Sequence, residues 1–325
     1  MKHNFCTLFD KNFIYRGLAM YESLLETDRD FKLWILCMDD IVYEQLKKMN
    51  LRATELIKLT DFEKGDSELL EIKLRRTMVE YCWTLSSSLP LYVFKHNPDL
   101  HSVAYLDSDL YFFSNSESIY EEMGDSSIGI VRHNYSKELT YLEKKSGIYN
   151  VSMVIFKNDD KARQCLEWWR ERCLEWCYAY YEDGKLGDQM YLDDWPKRFD
   201  GVHVIKNKGA NVAPWNLNKY LIKKEGEKIY VDEDQLIFYH FHSFKMYGIN
   251  SFQLYYSSYL ISKHDKEIFY PVYIKKIQKL IHKFISKFPD YTSGFNEVPS
   301  RIAIVRGFLK RKLSIYYYIK SLYNR

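Results

Sequence analysis

The stretch Tyr105-Leu106-Asp107-Ser108-Asp109-Leu110-Tyr111-Phe112-Phe113 brings two carboxylates, two residues apart, straight out of the apolar run 103–106 that ends an expected strand at 101–106. On extended chain alternate residues share a side, so Asp107 and Asp109 converge at a strand's carboxyl end. Open α/β sheets bind their ligands there. Carboxylates this close both stay ionised only when a cation lies between them. Mg²⁺ or Mn²⁺ held by one or two carboxylates completes its shell with diphosphate oxygens. A bare D-x-D is common, and a polar strand exit with a capping Asp would also produce one. The apolar run before this pair and the aromatic run after it are what set it apart.

Working outward, strands are expected at 4–9, 31–37 and 54–58, alternating with helices at 13–25 and 40–49. The segment 31–37 is a near-continuous apolar run, interrupted only by Lys32, as a parallel strand buried on both faces should be. Residues 69–96 read as helix, broken at 86–90, where Ser88 can cap a helix that begins near Pro90. Further strands fall at 127–131, 148–156, 202–205 and 229–241, with a long aromatic helix at 161–181. Beyond about 270 the pattern is helical and basic. The alternation predicts an α/β fold with a parallel, doubly wound sheet. With no internal repeat and no clear linker, 1–260 reads as one catalytic domain and 261–325 as a basic helical C-terminal region.

The 325 residues are 46% hydrophobic and 28% charged, an ordinary globular balance that excludes wholesale disorder. No apolar run is long enough to span a bilayer, and Met1-Lys2-His3-Asn4-Phe5-Cys6 carries charge where a secretion signal needs its apolar stretch. A cytoplasmic location follows as the expectation. The six cysteines form no C-x-x-C and read as buried thiols in a reducing compartment. The net charge of +3 hides an asymmetry: 274–325 carry +10, so the first 273 residues carry −7. A basic tail on an acidic body suggests an anionic surface as partner. Nucleic acid is not expected, because the body would repel phosphate and no zinc-finger or RNP pattern is present. In the tail, Ile274, Ile277, Leu280, Ile281, Phe284 and Phe288 are spaced for one helix face. That face suits either an anionic membrane at the inner side of the cell or packing against the body or a partner subunit.

Two further motifs carry chemistry. In Phe238-Tyr239-His240-Phe241-His242-Ser243-Phe244, His240 and His242 share a strand face, and either imidazole suits a third metal position. Gly187-Asp188-Gln189-Met190 opens a short helical stretch, where Asp188 is either an N-cap or a functional acid. Lys73, Arg75 and Arg76 offer cations for phosphate or a carboxylate, or form a solvated helix face. Absent are G-x-G-x-x-G, the P-loop, G-x-S-x-G and H-E-x-x-H, which removes the dinucleotide, NTPase, serine-hydrolase and zincin readings.

The order of buried strand, D-x-D, asparagine-bearing strand, Asp-Gln and histidine strand resembles the GT-A glycosyltransferases. In layout it is most similar to the glycogenin-like and bacterial lipopolysaccharide galactosyltransferase-like retaining family. Tyr149-Asn150-Val151, the run Trp168 to Cys177, Gly187-Asp188-Gln189, Asp194-Trp195-Pro196 and Gly209 to Asn216 resemble a bacterial subgroup associated with capsule and lipopolysaccharide synthesis. The likeness covers roughly 70–245 well and the first strand loosely.

The resemblance implies a metal-dependent enzyme moving a sugar from a nucleotide-diphosphate donor, UDP-sugar favoured, to a glycan or lipid-linked acceptor with retention. Asp107 and Asp109 would hold Mn²⁺ or Mg²⁺, with His240 or His242 as third ligand. Thr7, Phe9 and Asp10 would meet base and ribose, Ser108 and Arg76 the donor, and Asn150 the donor sugar. Asp188 and Gln189 would flank the reacting carbon. The family's glycine three residues after its ligand histidine is Ser243 here, and of its following lysine–proline–tryptophan only Lys245 has a counterpart. Alternatives from other classes are a D-x-D phosphohydrolase, which would need Thr or Val where Tyr111 stands, and a non-catalytic carbohydrate-binding scaffold.

Overall fold

The computed structural model describes residues 3–298, except 29 and 257, together with Tyr317–Tyr318. Strand β1 (His3–Phe9) leads through a turn into helix α1 (Ile14–Thr27), and β2 (Phe31–Cys37), α2 (Asp40–Met49) and β3 (Thr54–Lys58) repeat the unit. Asp39 starts α2 by accepting from the Val42 amide at 2.9 Å. Helices α3 (Leu59–Phe62), α4 (Ser67–Lys73) and α5 (Met78–His96) precede β4 (Ser102–Leu106) and the short β5 (Leu110–Phe112). Then come α6 (Glu117–Met123), β6 (Ile128–Arg132), α7 (Glu143–Ser146), β7 (Tyr149–Lys157), α8 (Asp160–Glu175), α9 (Trp195–Arg198) and β8 (Val202–Val204).

Seven strands form one sheet in the order β3-β2-β1-β4-β7-β6-β8. Every pairing in it is parallel except the two made by β7. Both faces are covered: one core holds Phe5, Leu33 and Leu106 with α1, the other Leu36, Val103 and Phe156 with α5 and α8. The sheet is mixed, mostly parallel and flanked by helices, as the GT-A resemblance implies; the alternation alone predicts a wholly parallel one, and β7 makes the difference.

Three expected boundaries move. The helix break lies at 74–77, where Thr77 and Glu80 form a reciprocal capping box, and not at 86–90. Helix α5 runs through Pro90 because Leu85, Leu89 and Val93 are fully buried along it, and that packing outweighs the hydrogen bond proline cannot make. Helix α8 stops at Glu175, six residues short of expectation. Beyond it Trp176 donates to Glu182 at 2.9 Å and Tyr178 stacks on Tyr180, partners that a continuing helix would separate. The single strand expected at 229–241 is three: after β9 (Ile222–Glu225), β10 (Lys228–Val231) turns at Asp232, whose φ is +55°, into β11 (Asp234–Gln235), and β12 (Phe238–His240) leaves to pair elsewhere.

Strands β13 (Lys245–Gly248), β14 (Ser251–Gln253) and β15 (Tyr317–Tyr318) form a small sheet, and α10 (Lys263–Lys287) lies against α1. The apolar face offered to a membrane is spent on the protein itself: Ile274, Ile277, Leu280, Ile281 and Phe284 are buried in the core they share with Tyr15 and Leu18. Across the expected boundary near 260, Phe241 stacks on Tyr273 with ring centroids 3.7 Å apart. The tail's Arg301, Arg306, Lys310, Arg311, Lys312, Lys320 and Arg325 lie outside the described residues. Among the described residues no helix is long and apolar enough to cross a membrane. The six cysteines are free thiols, all but Cys82 buried.

Candidate active site

Two sheet pairings build the site. In the main sheet, β4 ends beside β1, and the Asp107 amide donates to the Ser152 carbonyl of β7 at 2.9 Å, which directs the D-x-D turn out of the strand's carboxyl end. Strand β5 then pairs antiparallel with β12, placing His240 opposite Leu110, and the Phe241 amide donates to the Asp109 carbonyl at 3.0 Å. His240 Nε2 consequently stands 3.0 Å from Asp109 and 3.9 Å from Asp107. Ligand atoms of all three residues lie within 4.8 Å of one another.

The electrostatics of this trio are uneven. Burial pushes the Asp107 carboxyl up, Asp109 adds to the rise, and His240 offsets only part of it. Burial works on Asp109 as well, but the charge and hydrogen bond of His240, with His242 and Arg16, hold it well below the usual range. Desolvation opposes charge on His240, yet Asp109 and Asp107 raise its pKa overall. Two carboxylates thus share one imidazole. An oxygen, oxygen, nitrogen donor set of this kind fits Mn²⁺ or Mg²⁺, and His240 Nδ1, buried without a partner, shows the ring held from one side only.

The trio opens into a cavity of about 500 Å³. Of the residues expected there, Phe9, Asp10, Asp107, Ser108, Asp109, Asn150, Asp188, Gln189, His240 and His242 line it. Two do not. Thr7 is fully buried with its hydroxyl donated to the Leu106 carbonyl at 2.8 Å, so it ties β1 to β4 instead of facing a nucleoside. Arg76 lies over the Tyr178 ring at 3.7 Å and donates to the Leu174 carbonyl, because the chain after α8 folds back onto it. His242 stands outside the 4.8 Å donor set, beyond the end of β12, with its ring 5.3 Å from Trp215; burial and His240 lower its pKa to about 4. Phe9 reaches its place only because residue 17 is glycine: a Cβ there would stand 2.5 Å from the Phe9 ring.

Asp188 is no helix cap. Its carboxylate accepts from Ser86 Oγ at 2.6 Å, and its carbonyl accepts from Trp169 Nε1 at 2.9 Å. Burial raises its pKa to about 7 against the Ser86 hydrogen bond, with Asp107 adding to the rise. Gln189 is tethered at both ends, accepting from Asn150 Nδ2 at 3.3 Å and donating to the Ser146 carbonyl at 2.7 Å. Asn150 Nδ2 also lies 3.2 Å from His133 Nε2.

The proteins YfnF and YfnD of Bacillus subtilis (strain 168) are similar to this chain. YfnF is 35% identical over 226 residues, covering 68% of this chain and 74% of YfnF. YfnD is 33% identical over 294 residues, covering 90% of this chain and 94% of YfnD. The chain belongs to the family of YfnD and YfnF. No family model matches it. Among solved structures, the galactosyltransferase LgtC, in complex with donor and acceptor sugar analogs, aligns over 91% of this chain and 98% of its own at 12% identity, with a TM-score of 0.52. This member of the YfnD and YfnF family therefore has the GT-A fold.

Several residues of the site escape a reading of the sequence. His133, whose pKa burial lowers to about 3, stacks on Tyr135 with centroids 4.7 Å apart and completes the Asn150–Gln189 chain. Ser86 sits within a serine run that reads as a helix break, and Arg16 within an amphipathic helix. Only Trp215, in the conspicuous Pro214-Trp215-Asn216, carried a local signal; its Nε1 donates to the His133 carbonyl at 2.8 Å.

Proposed function

We propose that this protein is a metal-dependent glycosyltransferase that takes a sugar from a nucleotide-diphosphate donor, a UDP-sugar in the favoured case, to a glycan or lipid-linked acceptor. The observation that carries the reading is the meeting of Asp107, Asp109 and His240 on the wall of the 500 Å³ cavity. That cavity lies at the carboxyl ends of β1 and β4 in a GT-A sheet, where such folds bind ligands.

Asp107, Asp109 and His240 would hold Mn²⁺ or Mg²⁺. Such an ion, when bound, neutralises charge on the departing diphosphate. Phe9 and Asp10 line the nucleoside side of the cavity. Asp188, held by Ser86, presents a carboxylate to the cation-like sugar, and the Gln189 amide lies beside it. Asn150 fixes that amide and meets the donor sugar. Retention of configuration, with Asp188 or the Gln189 amide on the reacting face, and a place in bacterial surface polysaccharide synthesis complete the proposal.

Calorimetric titration of UDP, GDP and CDP, with and without Mn²⁺, tests it. One nucleotide is expected to bind only with the metal, and Asp109→Asn to weaken that binding at least about tenfold. Failure of all three nucleotides to bind overturns the reading.

A further inference from the structure

Two segments that line the cavity come from opposite ends of the catalytic sheet's chain. The turn after β1 contributes Asp10 and Phe13, and the segment from β12 onward contributes His240 and His242. Arg16, only 3% exposed, reaches between them: Nη1 donates to the Asn12 carbonyl at 3.2 Å and Nη2 to the Phe244 carbonyl at 2.8 Å.

Residues 288–297, which follow α10, fasten the same two segments a second time. The Tyr291 hydroxyl donates to the Lys11 carbonyl. The Asn296 amide donates to the Met246 carbonyl at 2.6 Å, and its side-chain oxygen accepts from the Met246 amide at 3.1 Å. Tyr291 is locked edge-on against Phe284 and Tyr15, with centroids 4.8 and 6.0 Å away. Gly294, at φ +93°, lets the strand of chain between the two anchors lie directly on Tyr15, where a Cβ would collide with the ring.

The segment so fastened is strained. Ser243 has a φ of +62°, in the left-handed region that favours glycine, and its hydroxyl is buried without a partner. A conformation of this kind persists only where the surroundings over-determine it. Arg16 at Phe244 and Asn296 at Met246 are the over-determining contacts.

We infer that Arg16, Tyr291 and Asn296 are positioning residues that hold the 10–13 turn and the 240–246 segment at the separation a bound nucleotide diphosphate requires. Residues 288–297 then complete the donor site and are not a detachable appendage. The inference rests on the glycosyltransferase reading.

The test compares Tyr291→Phe, Asn296→Ala and Asn296→Asp with the wild-type full-length chain. Tyr291→Phe keeps the ring and loses only the hydroxyl. Asn296→Asp keeps the oxygen that accepts from Met246. Mn²⁺-dependent titration with UDP, GDP and CDP is expected to show about fivefold weaker binding of the bound nucleotide in Tyr291→Phe and in Asn296→Ala, the usual worth of one hydrogen bond. Asn296→Asp should stay within about twofold of wild type, with melting temperatures moving by no more than about 2 °C. In turnover assays the loss should appear in the donor KM and not in kcat. Wild-type binding with unchanged affinity in the variants, or a loss that follows a falling melting temperature, overturns the clasp alone. A wild type that binds none of the three nucleotides overturns the glycosyltransferase reading and takes the clasp's role with it.

Discussion

At the β5–β12 side of the cavity, Asp107, Asp109 and His240 set two carboxylates against one imidazole. At the β7 side, His133, Asn150, Gln189 and the Ser146 carbonyl run as a neutral hydrogen-bonded chain. Both clusters are largely buried, and they meet the cost of burial differently. The neutral chain links its side-chain amides to one another and to the Ser146 carbonyl, and desolvation keeps His133 uncharged. The acidic trio sets two carboxylates against one imidazole, and its carboxyls are driven apart in pKa, Asp107 upward by burial and Asp109 downward by the charge and hydrogen bond of His240. We propose the second arrangement as the metal-binding one, and the first as its support. Asp188 stands between the two kinds, a single acid brought to about pH 7 by burial and steadied by Ser86.

The sharpest way to break this contrast is Asp188→Asn. If the carboxylate faces the sugar as proposed, turnover is expected to fall at least about 100-fold while Mn²⁺-dependent nucleotide affinity stays within about twofold. Unchanged turnover in single-turnover assays would remove Asp188 from the chemistry. Next in size is Asn150→Ala, which severs the neutral chain and frees Gln189. About a tenfold loss of kcat with an intact melting curve is expected, whereas a cluster of purely structural worth would lose melting temperature first.

The pH dependence separates the roles further. In the proposed role Asp188 must be ionised to face a developing cation, and burial raises its pKa to about 7. Turnover should therefore fall about tenfold for each pH unit below that point and level off above it. Ser86→Ala gives the smallest effect. The lost hydrogen bond had favoured the ionised form, so the midpoint should move upward, by less than about one unit, with little change in rate at pH 8 and above. A midpoint that stays in place would mean that Ser86 packs against Asp188 without tuning it.

Much of the fold was legible in local pattern. The strand at 31–37, the helix at 40–49 and the strand at 54–58 match the observed β2, α2 and β3 residue for residue, because a strand buried on both faces and an amphipathic helix each announce themselves within a few residues. The misplaced break in α5 has a different origin. Ser86, Ser87 and Pro90 are locally poor helix formers, and only burial against the sheet keeps them helical. The acid pair was legible for the same reason as the strands. Thr7 and Arg76 do not line the cavity because their side chains turn to Leu106 and Tyr178, a contact between distant segments that local pattern does not carry.

What the sequence by itself determined is the set of short-range features: the alternating strands and helices, the paired acids at a strand exit, and the free thiols. These follow from steric and hydrophobic preferences that act between neighbours. What only the tertiary structure decided is which distant groups share a cavity. The pairing of β5 with β12 brings His240, and not His242, within reach of Asp107 and Asp109, the fold of the chain after α8 takes Arg76 away, and burial raises the pKa of Asp188 against its Ser86 hydrogen bond. The segment 288–297 reaches Lys11 and Met246 only because α10 packs its apolar face on α1. Contacts of this range are set by how whole elements stack, and desolvation, which makes an acid or an imidazole chemically distinctive, exists only after they have stacked.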